Sequence, residues 1–317
     1  MKALMAIFAL LVAAPLMAAG PGRMMPQASE GKVISWPGLD GGAAGPMTVW
    51  IWLPPGYDAD VSRRFPVLYM HDGQNLFDAR LTAYDQEWQM DEAISRLHRQ
   101  GDLRRWIVVG VQSPTSRYRA LFPEKILGLL PPGLKKRVID LDIGEPRSEF
   151  AGDAYARFLA LTVKPRVDRE FRTLAGPGDT AVMGSSMGGL MAFYVMAEYP
   201  HLFGQAAAVS MHVALAQASE EGVDHEAAAG EVAEAFRRYL ATSAMRPGTN
   251  RLYIDHGTGT NDGSYGPYST ALVKLLNGAG WAAPDLVFRT FAGAEHNETA
   301  WAQRVDIPLA FLDARDP

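Results

Sequence analysis

Short apolar runs rich in β-branched and aromatic residues alternate along this chain with longer stretches of helical periodicity. The runs at 48–53, 66–70, 106–111, 180–184, 205–209, 251–254 and 286–291 are each one strand long, and most are bounded by turn residues. Helical stretches fall at 86–99, 150–171, 187–198, 268–276 and 299–312. Strands alternating with helices predict right-handed βαβ units, an α/β chain whose mostly parallel central sheet carries helices on both faces. Residues 113–149 break the rhythm with LGLLPPGLKK and further prolines. They predict a surface loop or a lid, with Leu129, Leu130 and Leu134 as its apolar contacts. Residues 20–46, rich in Gly and Pro, read as a flexible segment ahead of one domain at 47–317.

Composition agrees with this picture. The 317 residues are 48% hydrophobic and 21% charged, which supports a large core and excludes a disordered or collagen-like chain. Net charge is −5, with no long Lys/Arg run to track phosphates, so nucleic-acid binding is not expected. Residues 1–19 read as a cleaved secretory signal. Lys2 gives the positive start, 3–14 the apolar stretch and 15–19 the small-residue exit. The alternative, a membrane anchor, needs a longer apolar run to cross roughly 30 Å of hydrocarbon. A periplasmic or secreted protein with no membrane span after signal cleavage is therefore expected. The chain has no cysteine, which excludes disulfides and thiol chemistry.

Candidate chemistry centres on AVMGSSMGGLMAFYVMAEYP at 181–200. Gly184 to Gly188 form a G-x-S-x-G centred on Ser186, after a strand and before a helix. A nucleophilic serine there sits on a sharp turn that lifts its hydroxyl above the sheet edge. Ser185 is one step out of that register. A serine needs a base, and the base needs an orienting carboxylate. His212, His225, His256 and His296 lie far enough downstream. His296 stands on the loop between the last strand and the C-terminal helix, at the sheet edge expected for Ser186. His225 falls in an Ala/Glu-rich helical stretch and reads as solvated. For the acid, Asp262 lies in the loop after the preceding strand, with Asp255 at the strand's end as the alternative.

Two N–H donors should face the oxyanion. One is the amide of Met187, after the nucleophile; the other is the Gln74 amide, in the turn that Gly73 opens after an early strand. No His/acid pair has the spacing that fixes a metal, and no cofactor is expected.

Taken together, these stretches resemble the esterase D-type branch of the α/β-hydrolase superfamily, which includes enterobactin, feruloyl and acetyl-xylan esterases and the antigen 85 mycolyltransferases. The resemblance rests on VLYMHDGQNLFD with Trp88 and Asp91, IVVGVQS at 107–113, GSSMGGL at 184–190 and GAEHNETAWAQR at 293–304. The stretch FLALTVKPRVDREFRT at 158–173 is similar to the helix that precedes the nucleophile strand. It implies an α/β-hydrolase fold, Ser186 as nucleophile, His296 as base and Gln74 as the second oxyanion donor. Relatives often carry an acid three residues after a glycine here; counting from Gly257 gives Thr260, which is not acidic, and counting from Gly259 gives Asp262. They also tend to carry an acid before the proline that follows IVVG. The stretch YRALFP at 118–123 has none, so the substrate pocket should differ.

The expectation is an exported serine carboxylic-ester hydrolase acting through an acyl-enzyme on a small-molecule or glycan-linked ester. Trp88, Tyr118 and Trp301, with Phe122, are candidates to line the substrate cleft, against the alternative of core packing. Acyl transfer to a sugar or peptide hydroxyl needs the same residues, and a non-catalytic binding relative is the reading from another class.

Overall fold

A computed structural model of the chain describes residues 25–82, 84–217 and 223–314. Residues 1–19, read as a signal, lie outside the described residues. The strands are β1 (Lys32–Asp40), β2 (Pro46–Leu53), β3 (Val67–Met70), β4 (Ile107–Val111), β5 (Thr180–Ser185), β6 (Gln205–Val209), β7 (Arg251–Gly257) and β8 (Leu286–Phe291). They form one sheet in the order β1-β2-β4-β3-β5-β6-β7-β8. Pairing is parallel from β4 through β8, whereas β2 runs antiparallel to both β1 and β4.

Every strand expected from the sequence is present. The addition is β1, inside the segment read as flexible. Its residues KVISWPGLD pair with β2, Val33 opposite Trp52 and Ser35 opposite Trp50, and the register shifts between Trp36 and Leu39. The Pro37-Gly38 pair interrupts strand periodicity, and an edge strand with an irregular register tolerates it.

The inner strands are apolar on both faces because helices cover both. Along β3, Val67 and Tyr69 join one buried cluster while Leu68 and Met70 join the other. The second cluster is closed by α1 (Met90–Gln100), through Met90, Ala93, Ile94 and Leu97, and by the C-terminal helix. On the first face, the 113–149 stretch is helical in part: α2 (Arg117–Ala120), α3 (Glu124–Leu129) and α4 (Pro132–Asp140). Ile126, Leu127, Leu130, Leu134 and Val138 are buried in the main cluster and Leu129 packs against it. The expected irregular loop is thus a packed helical layer, because its leucines have a core to reach. The stretch expected as one helix at 150–171 is α5 (Gly152–Phe158) and α6 (Lys164–Glu170), joined by a π-helical turn at Leu159–Val163.

Next comes α7 (Met187–Glu198), where every residue from Met187 to Ala197 is buried. Its sequence MGGLMAFYVMAE is apolar all round, as a helix enclosed on all sides requires. After it, α8 (His225–Leu240) and α9 (Gly266–Gly278) pack side by side. The C-terminal helical stretch divides into α10 (Glu298–Ala302) and α11 (Asp306–Asp313). No helix among the described residues is long and apolar enough to cross a membrane.

Candidate active site

The strands β3, β5, β6, β7 and β8 run parallel, so the turns that leave their C-terminal ends collect at one edge of the sheet. Ser186 stands on the turn between β5 and α7 with φ 56° and ψ −123°, a conformation that L side chains seldom adopt. Neighbouring backbone holds it there. Its N–H donates to the Val209 carbonyl at 3.0 Å, and its carbonyl accepts from the His212 N–H at 3.1 Å. The flanking glycines are required by contact. A Cβ at Gly184 would lie 2.7 Å from the Gly188 carbonyl, and one at Gly188 would lie 3.1 Å from both Asp72 Oδ2 and His71 Cβ. Ser185, the residue before, is buried at the end of β5.

The loop after β7 carries Asp262 and the loop after β8 carries His296. His296 Nδ1 donates to Asp262 Oδ1 at 2.5 Å. The other carboxylate oxygen accepts from the Gly257 N–H at 2.6 Å and from the Ser210 hydroxyl at 2.5 Å. Burial would raise the Asp262 carboxyl. The hydrogen bond and charge of His296, with Ser210 and Gly257, outweigh it and hold the group below the usual carboxylate value. Asp262 is thus a fully buried anion whose purpose is to face an imidazole.

Asp255, the alternative acid, has a different role. It accepts from the Ser210 N–H at 2.9 Å and the Tyr253 hydroxyl at 2.9 Å, and it pairs with Arg304 at 3.2 Å. Arg304 Nη2 also donates to Ser210 Oγ at 2.8 Å, as does Trp301 Nε1 at 2.9 Å. A buried ion pair therefore holds the serine that in turn holds Asp262. His256 is engaged elsewhere, its Nδ1 2.6 Å from the Gly257 carbonyl. His225, expected solvated, lies at the start of α8 with Nδ1 3.0 Å from the Tyr268 hydroxyl.

The turn after β3 lies beside the turn that carries Ser186. A Cβ at Gly73 would come within 2.5 Å of the Gly110 carbonyl carbon, so the backbone passes where only glycine fits. Gln74 is pinned to the end of β4: its Oε1 accepts from the Ser113 N–H at 3.1 Å and its Nε2 donates to Ser113 Oγ at 2.7 Å. Before it, Asp72 takes a left-handed φ of 56° and receives Arg117 through Nε and Nη2, each at 2.7 Å. Burial would raise Asp72, but the Arg117 charge and hydrogen bonds, with the Ser113 hydroxyl, keep it lowered. Burial, opposed by the Asp72 charge and aided by Arg117, takes His71 down to about 4, so it is neutral at ordinary pH.

The aromatic residues expected to line a cleft are largely committed to packing. Trp88 is 2% exposed and stacks on Trp301, centroids 5.6 Å apart. Trp301, 4% exposed, stands edge-on to His296 at 5.1 Å, so it supports the imidazole from within. Tyr118 is 5% exposed and Phe122 is fully buried. Their rings complete the core beneath the site because the helices at 117–140 cover them.

A family model described as "Putative esterase" matches residues 43–120 and 137–306. The chain belongs to the esterase family. Solved structures with the same fold include an IroE-like serine hydrolase from Shewanella oneidensis, 17% identical, TM-score 0.61, covering 90% of this chain and 82% of that one. A ferulic acid esterase is 15% identical with TM-score 0.59, covering 89% and 98%. The siderophore hydrolase EstA from Aspergillus nidulans is 18% identical with TM-score 0.57, covering 90% and 96%. By sequence, the uncharacterized protein YbbA of Bacillus subtilis (strain 168) is 22% identical over 217 residues, 68% of this chain and 69% of that one.

In this esterase the sequence reading missed Tyr265, Ser210 and Arg304. Tyr265 follows Asp262 by three residues in TNDGSYGP, and Arg304 ends the stretch GAEHNETAWAQR. Arg304 lies inside a stretch that carries the family resemblance, and Tyr265 lies just past the loop that holds Asp262. Nothing in their spacing reveals that they meet His212 and Asp255, since those contacts cross the sheet edge between distant loops.

Proposed function

We propose that this esterase is an exported serine carboxylic-ester hydrolase that works through an acyl-enzyme. Ser186 attacks the ester carbonyl while His296 takes its proton and returns it to the leaving oxygen. Asp262 holds the imidazole in the tautomer that leaves Nε2 free to accept. The Met187 and Gln74 amides receive the oxyanion. Water then resolves the acyl-enzyme with His296 acting as base again.

The observation that carries this reading is the 2.5 Å contact between His296 and a fully buried Asp262, with Ser186 on the turn leaving β5 at the same sheet edge. Buried carboxylate, imidazole and strained serine at one sheet edge form the constellation that acyl transfer requires. The substrate proposed is a small-molecule or glycan-linked carboxylic ester, which the ferulic acid esterase and siderophore hydrolase relatives make the first classes to try.

A fluorophosphonate probe on the purified protein tests the chemistry. One adduct at Ser186, lost in Ser186→Ala, is expected; labelling that survives the substitution overturns the reading. A panel of acetyl, feruloyl and catecholate esters then assigns the substrate. Export is tested by the mass of the mature chain from a bacterial host, expected to begin after residue 18 or 19.

A further inference from the structure

The turn proposed to hold the second oxyanion donor is a 3-10 turn at Gly73–Asn75, and each of its residues is anchored to a different neighbour. Gly73 lies against Gly110 on β4, whose carbonyl carbon a Cβ would approach to 2.5 Å. Asn75 Nδ2 donates to Oε1 of Glu298 at 2.8 Å, the first residue of α10 and two residues past His296. Gln74 reaches Ser113, just beyond β4. Its Nε2 donates to Ser113 Oγ at 2.7 Å, and its Oε1 accepts from the Ser113 N–H at 3.1 Å. The Ser113 hydroxyl in turn donates to Asp72 Oδ1. The other oxygen of that carboxylate lies 3.1 Å from where a Cβ would stand on Gly188, two residues past Ser186.

One residue therefore grips the chain on both sides of the Gly73–Gln74 peptide, through Asp72 before it and Gln74 after it. The N–H offered to the oxyanion belongs to that peptide. Among the described residues it donates to no protein acceptor, so no backbone bond of its own sets its aim. Its direction follows from how the flanking residues are held. Asp72 is the strained member, at φ 56°, and such a conformation persists only where its surroundings enforce it. The Arg117 guanidinium holds its carboxylate through two bonds and the Ser113 hydroxyl adds a third. The hydroxyl suits both tasks at once: its single proton goes to the carboxylate, and a lone pair takes the Gln74 amide.

Resting on the serine reading above, we propose that Ser113 is a positioning residue that aims the Gln74 N–H at the oxyanion by clamping the Asp72 carboxylate and the Gln74 side chain together. Ser113 touches no reacting atom. It acts through the turn, which it fixes before the substrate arrives, so the donor needs no reorganisation when charge develops on the carbonyl oxygen. Without the clamp the peptide can drift by about 1 Å, enough to weaken a bond that matters only in the attacking state. Binding of the intact ester does not use that bond fully, so the loss falls on kcat and leaves KM nearly unchanged.

Steady-state kinetics on an activated ester, with phenylboronic acid as inhibitor, test this in S186A, S113A, S113T, Q74A and the double variant S113A/Q74A. A boronate bound to the serine oxygen places its own oxygen where the oxyanion would lie, so its affinity reads the donor directly. S113A is expected to lower kcat by about 10–10²-fold with KM nearly unchanged, at or below the loss of a whole donor, and to weaken the boronate by a similar factor. S113T keeps the hydroxyl and should recover most of both. Q74A should fall like S113A, and the double variant should be no slower than the slower single one, since both substitutions open one clamp. A merely structural role for Ser113 would lower the melting temperature and slow the enzyme while boronate affinity stays parental, and that result overturns the proposal. Parental kcat in S113A while S186A is inactive also overturns it and leaves the serine reading intact; an active S186A overturns the serine reading and the proposal with it. If S113A does not fold, Q74A decides, and parental kcat there overturns the proposal.

Discussion

His296 and Asp262 stand 34 residues apart in the chain and 2.5 Å apart in space, joined through Nδ1 and Oδ1. Each sits on a loop leaving an adjacent parallel strand, β8 and β7, so the sheet brings them together. Asp262→Asn would keep the volume and reverse the tautomer preference of the imidazole. The expected result is a kcat lower by about 10⁴-fold with an unchanged fold, measured by ester hydrolysis and circular dichroism. A loss confined to Asp255→Asn would instead reinstate Asp255 as the acid.

Gly73 opens the turn proposed to hold the second oxyanion donor, where the backbone passes close to Gly110. Gly73→Ala would drive a methyl group into the Gly110 carbonyl, 2.5 Å away, and displace the Gln74 amide that follows. Losing one oxyanion donor costs on the order of 10²–10³ in kcat. The control is Gly101→Ala: Gly101 caps α1 with φ 86° and a Cβ there meets nothing within 4 Å, so it should cost stability but not rate. Equal kcat in both variants would show that the turn does not carry the donor.

Arg304 and Asp255 are 5% and 0% exposed and bond each other, with Ser210 between them and Asp262. Arg304→Met would strand the Asp255 charge in the core. Removing one partner of a buried pair costs about 3–5 kcal/mol, which a urea unfolding midpoint reads directly. Because Ser210 loses a donor too, the surviving folded enzyme should also be slower. The double variant D255N/R304M should regain part of the stability.

Asp91 is fully buried and its Oδ2 accepts from the Ser29 N–H at 2.6 Å. Burial first, and then Glu92 beside it, raise its carboxyl well above the ordinary 3.8, and burial likewise raises Glu87 to about 7. An acid raised in the folded state contributes stability that is present below its unfolded value and lost as pH climbs toward the folded one. Between about pH 4 and 7 these groups therefore weaken the fold as pH rises. His71 and His212, lowered to about 4, act oppositely between 6.5 and 4. Comparing Asp91→Asn with its parent cancels the histidine contribution. The variant should melt about 2–4 °C higher at pH 8 and lose that advantage toward pH 4. A constant difference across pH would mean that Asp91 does not titrate there.

Periodicity alone marked seven of the eight strands among the described residues, since strands covered on both faces must be apolar throughout, and it marked residues 187–198 as helical. The strained turn at Ser186 was also legible, because a strand, a glycine-flanked serine and a helix are contiguous. Asp262 and His296 could be placed at one edge by chain order, which also favoured Asp262 over Asp255; in space Asp255 lies within β7 and pairs with Arg304, while Asp262, beyond the strand, reaches the imidazole. Trp88, Tyr118 and Trp301 show the same limit, as an aromatic near a site reads alike whether it faces solvent or a neighbouring ring. The edge strand β1 was hidden because its pairing belongs to β2 and its own pattern is broken by Pro37-Gly38. Local sequence fixes what a segment prefers through its backbone and side-chain periodicity. Which distant groups touch, as Tyr265 touches His212 and Arg304 touches Asp255, follows only when the packed sheet brings its loops to a common edge.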